Sequence, residues 1–417
     1  MSSDRRRIAI TGMGAVTPIG CGVDEFWRAL QAGKSGVRHV RNPALQPFGV
    51  CIGGEVDLPP GASGLPPKME RRLGRHIILG VSAANEAIAH AGFTPDEITR
   101  YGHRMGAIFG TGDAGDGLHY QMSQRIAEGT LDSAGPFYVV GVIPGTPPAL
   151  FAKQHGLRGP NFAVSSACAS SNHAFGVAAA LIRTGQADVI FAGGTEGVVD
   201  VPAMAGFGVI GALSRRTADP AAASRPFDTE RDGFVLAEGA GVLCLEAWDH
   251  ALARGATIYA ELRGTAFTCD AHDMVKPHPD GEGAQRAMQE ALRDAGLGPT
   301  DIQLINAHGT STPLGDLAES RALHAIFGQG SGGIPVHSTK SMTGHLIGAA
   351  GAVEAIASIL AITRGVVHPS INVDTPDPAL DLNVVRQAMQ APVAHVLSNN
   401  FAFGGQNATI ILSHPDA

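Results

Sequence analysis

The sequence predicts a layered α/β body made of two duplicated halves, residues 1–255 and 256–417, folded as one structural unit. Three observations carry this. Glu86-Ala87 to Ile98 and Glu290-Ala291 to Ile302 share the pattern Glu-Ala-x-x-x-Ala-Gly-x-x-Pro-x-x-Ile. A second echo pairs Leu181-Ile182-Arg183-Thr184-Gly185 with Ala361-Ile362-Thr363-Arg364-Gly365, in the same order along the chain. In both halves short apolar runs alternate with Ala-rich stretches, as βα units do.

Composition narrows the classes. Of the 417 residues, 44% are hydrophobic and 16% charged, so a large core is available. The net charge of −8 is spread along the chain, which argues against nucleic-acid binding. The five cysteines (Cys21, Cys51, Cys168, Cys244, Cys269) lack CxxC spacing. They fit reduced, cytoplasmic thiols rather than a disulfide framework, and no metal site is expected. No signal peptide is expected at the basic N-terminus. The longest apolar run, Leu346 to Thr363, holds Glu354 and reads as a buried helix rather than a membrane span.

In chain order, Arg7 to Gly14 is predicted as a strand entering a Gly-rich turn. It matches a dinucleotide fingerprint poorly, because the third Gly is misplaced and no acidic ribose partner follows. Val23 to Gln31 is predicted helical. Residues 41–67, rich in Pro and Gly, read as loop. Met69 to Ala91 reads as a helix closed by Gly92. Gly106 to Gly112 and Leu304 to Thr310 read as short strands running into turns. Asn161 to Val164 reads as a buried strand, followed by a helix that stops at Arg183-Thr184-Gly185. Leu317 to Phe327 is predicted helical with Asp316 as its N-cap. Ala408 to Leu412 is the last strand.

Cys168 falls on the elbow between the Asn161–Val164 strand and the helix after it. Unpaired N–H groups and the helix dipole there favour a thiolate and can hold an oxyanion. The alternative is a small buried apolar residue, as free cysteines often are. Two histidines tilt the choice. His308 lies in Asn306-Ala307-His308-Gly309-Thr310-Ser311-Thr312-Pro313, and His345 in Lys340-Ser341-Met342-Thr343-Gly344-His345. One Cys and two His, each at a strand-to-turn transition of a duplicated chain, form a candidate catalytic set.

At these residues the chain resembles the elongating β-ketoacyl carrier-protein synthases, the thiolase-fold condensing enzymes of fatty acid and type II polyketide synthesis. The resemblance spans Ser165 to Ser170, Ser224 to Phe234, Asn306 to Asp316, Lys340 to Glu354 and Asn400 to Asn407. It implies a thiolase-like five-layered αβαβα fold and a dimer, either a homodimer or a heterodimer with a homologous chain-length factor. It implies an acyl carrier protein as partner and no cofactor beyond the carrier's phosphopantetheine. Cys168 would take the acyl chain, and His308 and His345, as neutral imidazoles, would stabilise the malonyl thioester oxygen. Backbone N–H groups of Cys168 and Phe403 would hold the acyl oxygen, with Phe403 gating the two half-reactions. Lys340 would order the cluster with Glu354 as its charge partner, and Thr310 and Thr312 would bind the pantetheine arm.

Three departures from the family pattern lean towards a specialised polyketide ketosynthase rather than synthase II of fatty acid synthesis. Asp113 stands where an apolar residue lines the acyl tunnel; it either faces that tunnel or caps its own turn. Gly206 to Gly211 lacks the basic residue that holds the carrier. Asp273 stands where a His is usual. Lys68, Arg71, Arg72 and Arg75, at about helical spacing, are candidates for the carrier dock, with Arg215 and Arg216 beside them. A non-catalytic chain-length subunit would lack Cys168. A degradative thiolase would carry a second cysteine near the C-terminus, where this chain has Phe403-Gly404-Gly405.

Overall fold

The computed structural model of the chain describes residues 5–49, 51–130 and 137–417. The first half contributes β1 (Ile8–Thr17), α1 (Val23–Gln31), α2 (Arg75–Ala91), β2 (Met105–Gly110), β3 (Asn161–Val164), α3 (Ser170–Arg183), β4 (Val189–Glu196) and β5 (Gly239–Ala247). The second contributes β6 (Ala260–Cys269), α4 (Glu282–Ala295), β7 (Leu304–Asn306), α5 (Pro313–Phe327), β8 (Val336–His337), α6 (Ala350–Arg364), β9 (His395–Ala402) and β10 (Gln406–Ser413).

The strand order is β3-β2-β4-β5-β1 in one half and β8-β7-β9-β10-β6 in the other. Within each half the four pairings follow one scheme. β2 is parallel to β3 and β4, as β7 is to β8 and β9; β5 and β10 run antiparallel to their neighbours. The sheet is continuous only through two residue pairs, Ala9 with Glu261 and Ile10 with Ala260.

The central layer is α3 with α6. α3 lies on β2 and β4 and also touches β6 and β10, while α6 lies on β9 and also touches β5 and β1. The two sheet halves therefore face each other across these helices. α2 covers the outer face of the first half, and α4 with α5 that of the second, giving five layers. Three apolar clusters fill them: Phe175, Leu243, Val353 and Ile356 in the middle, Leu79, Ala83 and Phe191 under α2, and Met288, Leu292 and Leu323 under α4. The apolar run predicted as a core helix is α6, buried over nearly its whole length.

Several local expectations are corrected. β1 runs straight through Gly12 and Gly14 with no turn. A Cβ there would lie 2.5 Å from the Ala87 carbonyl oxygen and 2.0 Å from that of Ala83, so both glycines admit α2 rather than a nucleotide. The Met69–Ala91 helix is two elements: a turn of helix over Pro67–Glu70, then α2 starting at Arg75. Residues 41–67 include a 3₁₀ segment, Pro43–Phe48, and a strand, Ile52–Gly54, paired with Val37–His39. β3 is not buried: it is the sheet edge, and Phe162 is exposed. The N-cap of α5 is Thr312, whose hydroxyl accepts the Gly315 N–H; Asp316 is buried inside the helix and accepts the Ser311 and Phe227 N–H groups.

Candidate active site

Cys168 sits where β3 turns into α3. Ala167 adopts a left-handed φ of 47°, and a 3₁₀ turn over Ala167–Ala169 feeds the helix. Such a φ at a residue with a Cβ costs about 1–2 kcal/mol and persists only when its surroundings hold it. Ser170 does so: its hydroxyl accepts the Ser166 N–H at 2.9 Å and donates to the Ala167 carbonyl at 2.7 Å.

The second half supplies what faces the thiol. His345 Nε2 lies 3.0 Å from Cys168 Sγ. The His308 ring stands nearly perpendicular to that of His345, with centroids 5.5 Å apart. His308 comes from the turn after β7. His345 and Lys340 come from a longer connection: His337, at the end of β8, and Ile347 are ten positions apart, where Val164 and Ala167 are three apart in the first half.

Burial pushes the Cys168 thiol up to about 12, against the pull of the Lys340 ammonium. The expectation of a resting thiolate at a helix N-terminus is thus corrected: desolvation outweighs the dipole. Cys168 rests as a thiol with an imidazole nitrogen in contact. Both imidazoles are neutral, held well below the usual histidine range by burial first and by the Lys340 ammonium second.

Lys340 Nζ contacts Glu354 Oε1, and Asn400 Nδ2 donates to Oε2 at 2.9 Å. Both charges are buried, so each needs the other, and Asn400 satisfies the remaining oxygen. Sequence reasoning missed Glu319, on α5. Its carboxylate accepts the N–H groups of His308 and Gly309, both at 2.8 Å, and fixes the turn that presents His308. A carboxylate on the face that carries Ala318, Ala322 and Leu323 is the signal that could have found it.

Cys168, His308, His345 and Glu319 line a cavity of about 440 Å³. Thr310 and Thr312 line it with their hydroxyls 3.0 Å apart. Phe403 lines it too, 6.1 Å from Phe207, which meets Phe234, which in turn stands edge-on to His345. Ile210, Val275 and Leu314 line the open end and are exposed.

Other predicted residues fall elsewhere. Asp113 is half-buried and absent from the cavity lining; its carboxylate takes the Asp116 N–H, the capping alternative. Burial, then Asp116 and Asp200, push it up to about 7. Asp273 is exposed and accepts the Val275 and Lys276 N–H groups. Lys68, Arg71 and Arg72 are exposed, but the break before α2 removes the shared helical face, and Arg75 is paired with Glu238.

The protein-family models for the N-terminal and C-terminal domains of β-ketoacyl synthase match residues 5–251 and 259–374. The chain is 40% identical to 3-oxoacyl-[acyl-carrier-protein] synthase 2 of Synechocystis sp., over 98% of each chain. It superposes on a chain of AntDE:AntF, a type II polyketide acyl-carrier protein in complex with its ketosynthase bound to the hexaketide. The TM-score is 0.91 at 34% identity, covering 98% of this chain and 100% of that one. The ishigamide ketosynthase/chain length factor gives a TM-score of 0.90 at 36% identity, covering 98% of this chain and 99% of that one. The thiol, the two neutral imidazoles and these likenesses place the chain in the β-ketoacyl synthase family, as a condensing enzyme of the acyltransferase class.

Proposed function

We propose that this chain is the catalytic ketosynthase of a type II polyketide system, joining a Cys168-bound acyl chain to malonyl carrier protein. The contact between Cys168 Sγ and His345 Nε2 carries the reading. In the first half-reaction Sγ attacks the acyl thioester and its proton passes to Nε2. The departing pantetheine thiolate is protonated in turn, which leaves the ring neutral. In the second, the malonyl C–CO2 bond breaks, CO2 leaves, and the resulting enolate carbon attacks the acyl-Cys carbonyl. A C–C bond forms, the C–S bond breaks and the sulfur regains a proton from water, the one proton the condensation consumes. His308, as a neutral N–H donor, stabilises the enolate oxygen, and His345 joins it when its hydrogen is on Nε2; the Cys168 and Phe403 N–H groups hold the acyl oxygen. No cofactor enters any of these steps.

The polyketide assignment draws on the likeness to a type II polyketide ketosynthase and to the ishigamide ketosynthase/chain length factor, and on Gly211 at the cavity rim. Fatty acid synthesis is the second reading, favoured by the 40% identity to a curated synthase 2. The carrier protein docks over the cavity mouth: Val209 and Met274, next in the chain to the lining residues Ile210 and Val275, are 88% and 83% exposed, and the exposed Lys276, itself in the lining, supplies positive charge. A homologous subunit, identical or not, pairs along the free edge of β3.

Intact-mass analysis of acyl transfer and elongation tests the assignment. Saturated and conjugated dienoyl carriers of equal length are offered, with and without a co-encoded homologue. Preference for the dienoyl chain, dependent on the homologue, is the expected result. Efficient turnover of the saturated chain by the protein alone would return the enzyme to fatty acid synthesis. Val209→Asp should raise the apparent KM for the carrier; a rise in Arg71→Glu instead would move the dock to the turn before α2.

A further inference from the structure

The second half contains a counterpart of the Cys168 elbow. Ile347 adopts φ 44°, Ile347–Ala349 forms a 3₁₀ turn and α6 follows, as Ala167, Ala167–Ala169 and α3 do in the first half. Gly348 holds the position of Cys168. Strand register extends the match. Gly110 pairs with Val164 and Gly194, and Asn306 with His337 and Ser398, so Gly112 corresponds to His308.

The counterpart elbow is occupied. Glu196, at the end of β4 and fully buried, places one carboxylate oxygen 2.9 Å from the Gly348 N–H and 2.8 Å from the Gly112 N–H. The other oxygen accepts the Thr111 hydroxyl at 3.1 Å and the Asp113 N–H at 3.2 Å. The Gly348 N–H corresponds to the Cys168 N–H, the donor assigned above to the acyl oxygen. A resident carboxyl group therefore sits where the first half leaves room for a transient oxyanion; burial pushes it up to about 8, against the pull of the N–H donors around it.

We propose that Glu196 is a positioning residue that fills this counterpart anion pocket and thereby fixes Ile347 in the cavity wall beside Cys168. Ile347 precedes Gly348 and lines the same cavity as Cys168. Its Cγ2 presses on the Gly112 backbone; a Cβ on Gly112 would meet it at 2.6 Å. Four donors from two segments converge on one carboxylate, so the Gly112 turn and the Ile347 elbow keep one spacing. That spacing sets the width available to the chain on Cys168. The inference rests on the acyl-Cys168 reading given above.

Its test is the rate of acylation by a bulky dienoyl carrier divided by that by acetyl carrier, followed by intact mass. Glu196→Gln keeps the size but turns an NH2 towards N–H donors. The ratio should shift about tenfold towards the bulky chain, the scale of one or two methylenes in an apolar pocket. Ile347→Val, which leaves the anchor intact, should shift it the same way, and Glu196→Asp should restore part of it. A purely structural role would lower both rates in proportion to the folded fraction and leave the ratio unchanged. An unchanged ratio in Ile347→Val, or in folded Glu196→Gln, overturns the proposal. Failure of the wild type to acylate Cys168 at all would instead overturn the ketosynthase reading.

Discussion

The two elbows share one backbone design and differ in what meets them. In the first half Cys168 opens onto the cavity and faces His345 and His308, both from the second half. In the second half Gly348 is closed off by Gly112 and Glu196, both from the first. A Cβ on Gly348 would lie 2.4 Å from the Gly112 nitrogen, so no nucleophile fits there. Duplication supplied two strained elbows. Each half then specialised by what it lends the other: the second lends imidazoles, and the first lends a glycine turn and a carboxylate.

The comparison can be broken at its active side first. His308→Ala and His345→Ala should each lower malonyl decarboxylation by on the order of 10²–10³, the usual loss for one oxyanion donor. Near-wild-type decarboxylation in either would remove that ring from the site. On the closed side, Gly348→Cys should destabilise the fold by about 1–3 kcal/mol through overpacking against Gly112. Unchanged urea unfolding would show that the second elbow has room for a side chain.

A third effect separates the halves by pH. Val164 in β3 corresponds to His337 in β8, which stacks on His368 with centroids 4.0 Å apart. Burial lowers both rings, His368 to about 4. A depressed histidine leaves the unfolded chain binding more protons below its ordinary value of 6.5. The stability it contributes is whole above that pH and is lost as pH falls towards about 4, up to about 3 kcal/mol for His368. Hydrogen exchange at pH 5 should therefore open β7 and β8 before β2 and β3, and His368→Asn should narrow the gap. Equal loss of protection in both halves would contradict this.

What the sequence made legible was local or repeated. Val23–Gln31 was readable to the residue because its apolar and charged positions alternate at helical spacing. The pairing of Lys340 with Glu354 followed from a carboxylate in an apolar helix, and the duplication from matched helix stops. What stayed hidden depends on distant backbone. Gly12 and Gly14 looked like a turn because the helix they admit lies some seventy residues away. Glu196 and Glu319 were invisible because their partners are mostly main-chain N–H groups, which carry no residue signature. The Asn161–Val164 strand looked buried because an apolar edge strand and an apolar inner strand read alike. Cys168 was found by its elbow, yet its protonation state was misjudged, because desolvation is set by the assembled cavity and not by the helix it begins.

The most direct measurement is the intact mass of the protein, with peptide mapping, after incubation with an acyl carrier, for the wild type and Cys168→Ala. The account predicts one acyl group on the wild type, mapped to Cys168, and none on the variant. An adduct that survives in Cys168→Ala, or one that maps to Cys21, Cys51, Cys244 or Cys269, would contradict it.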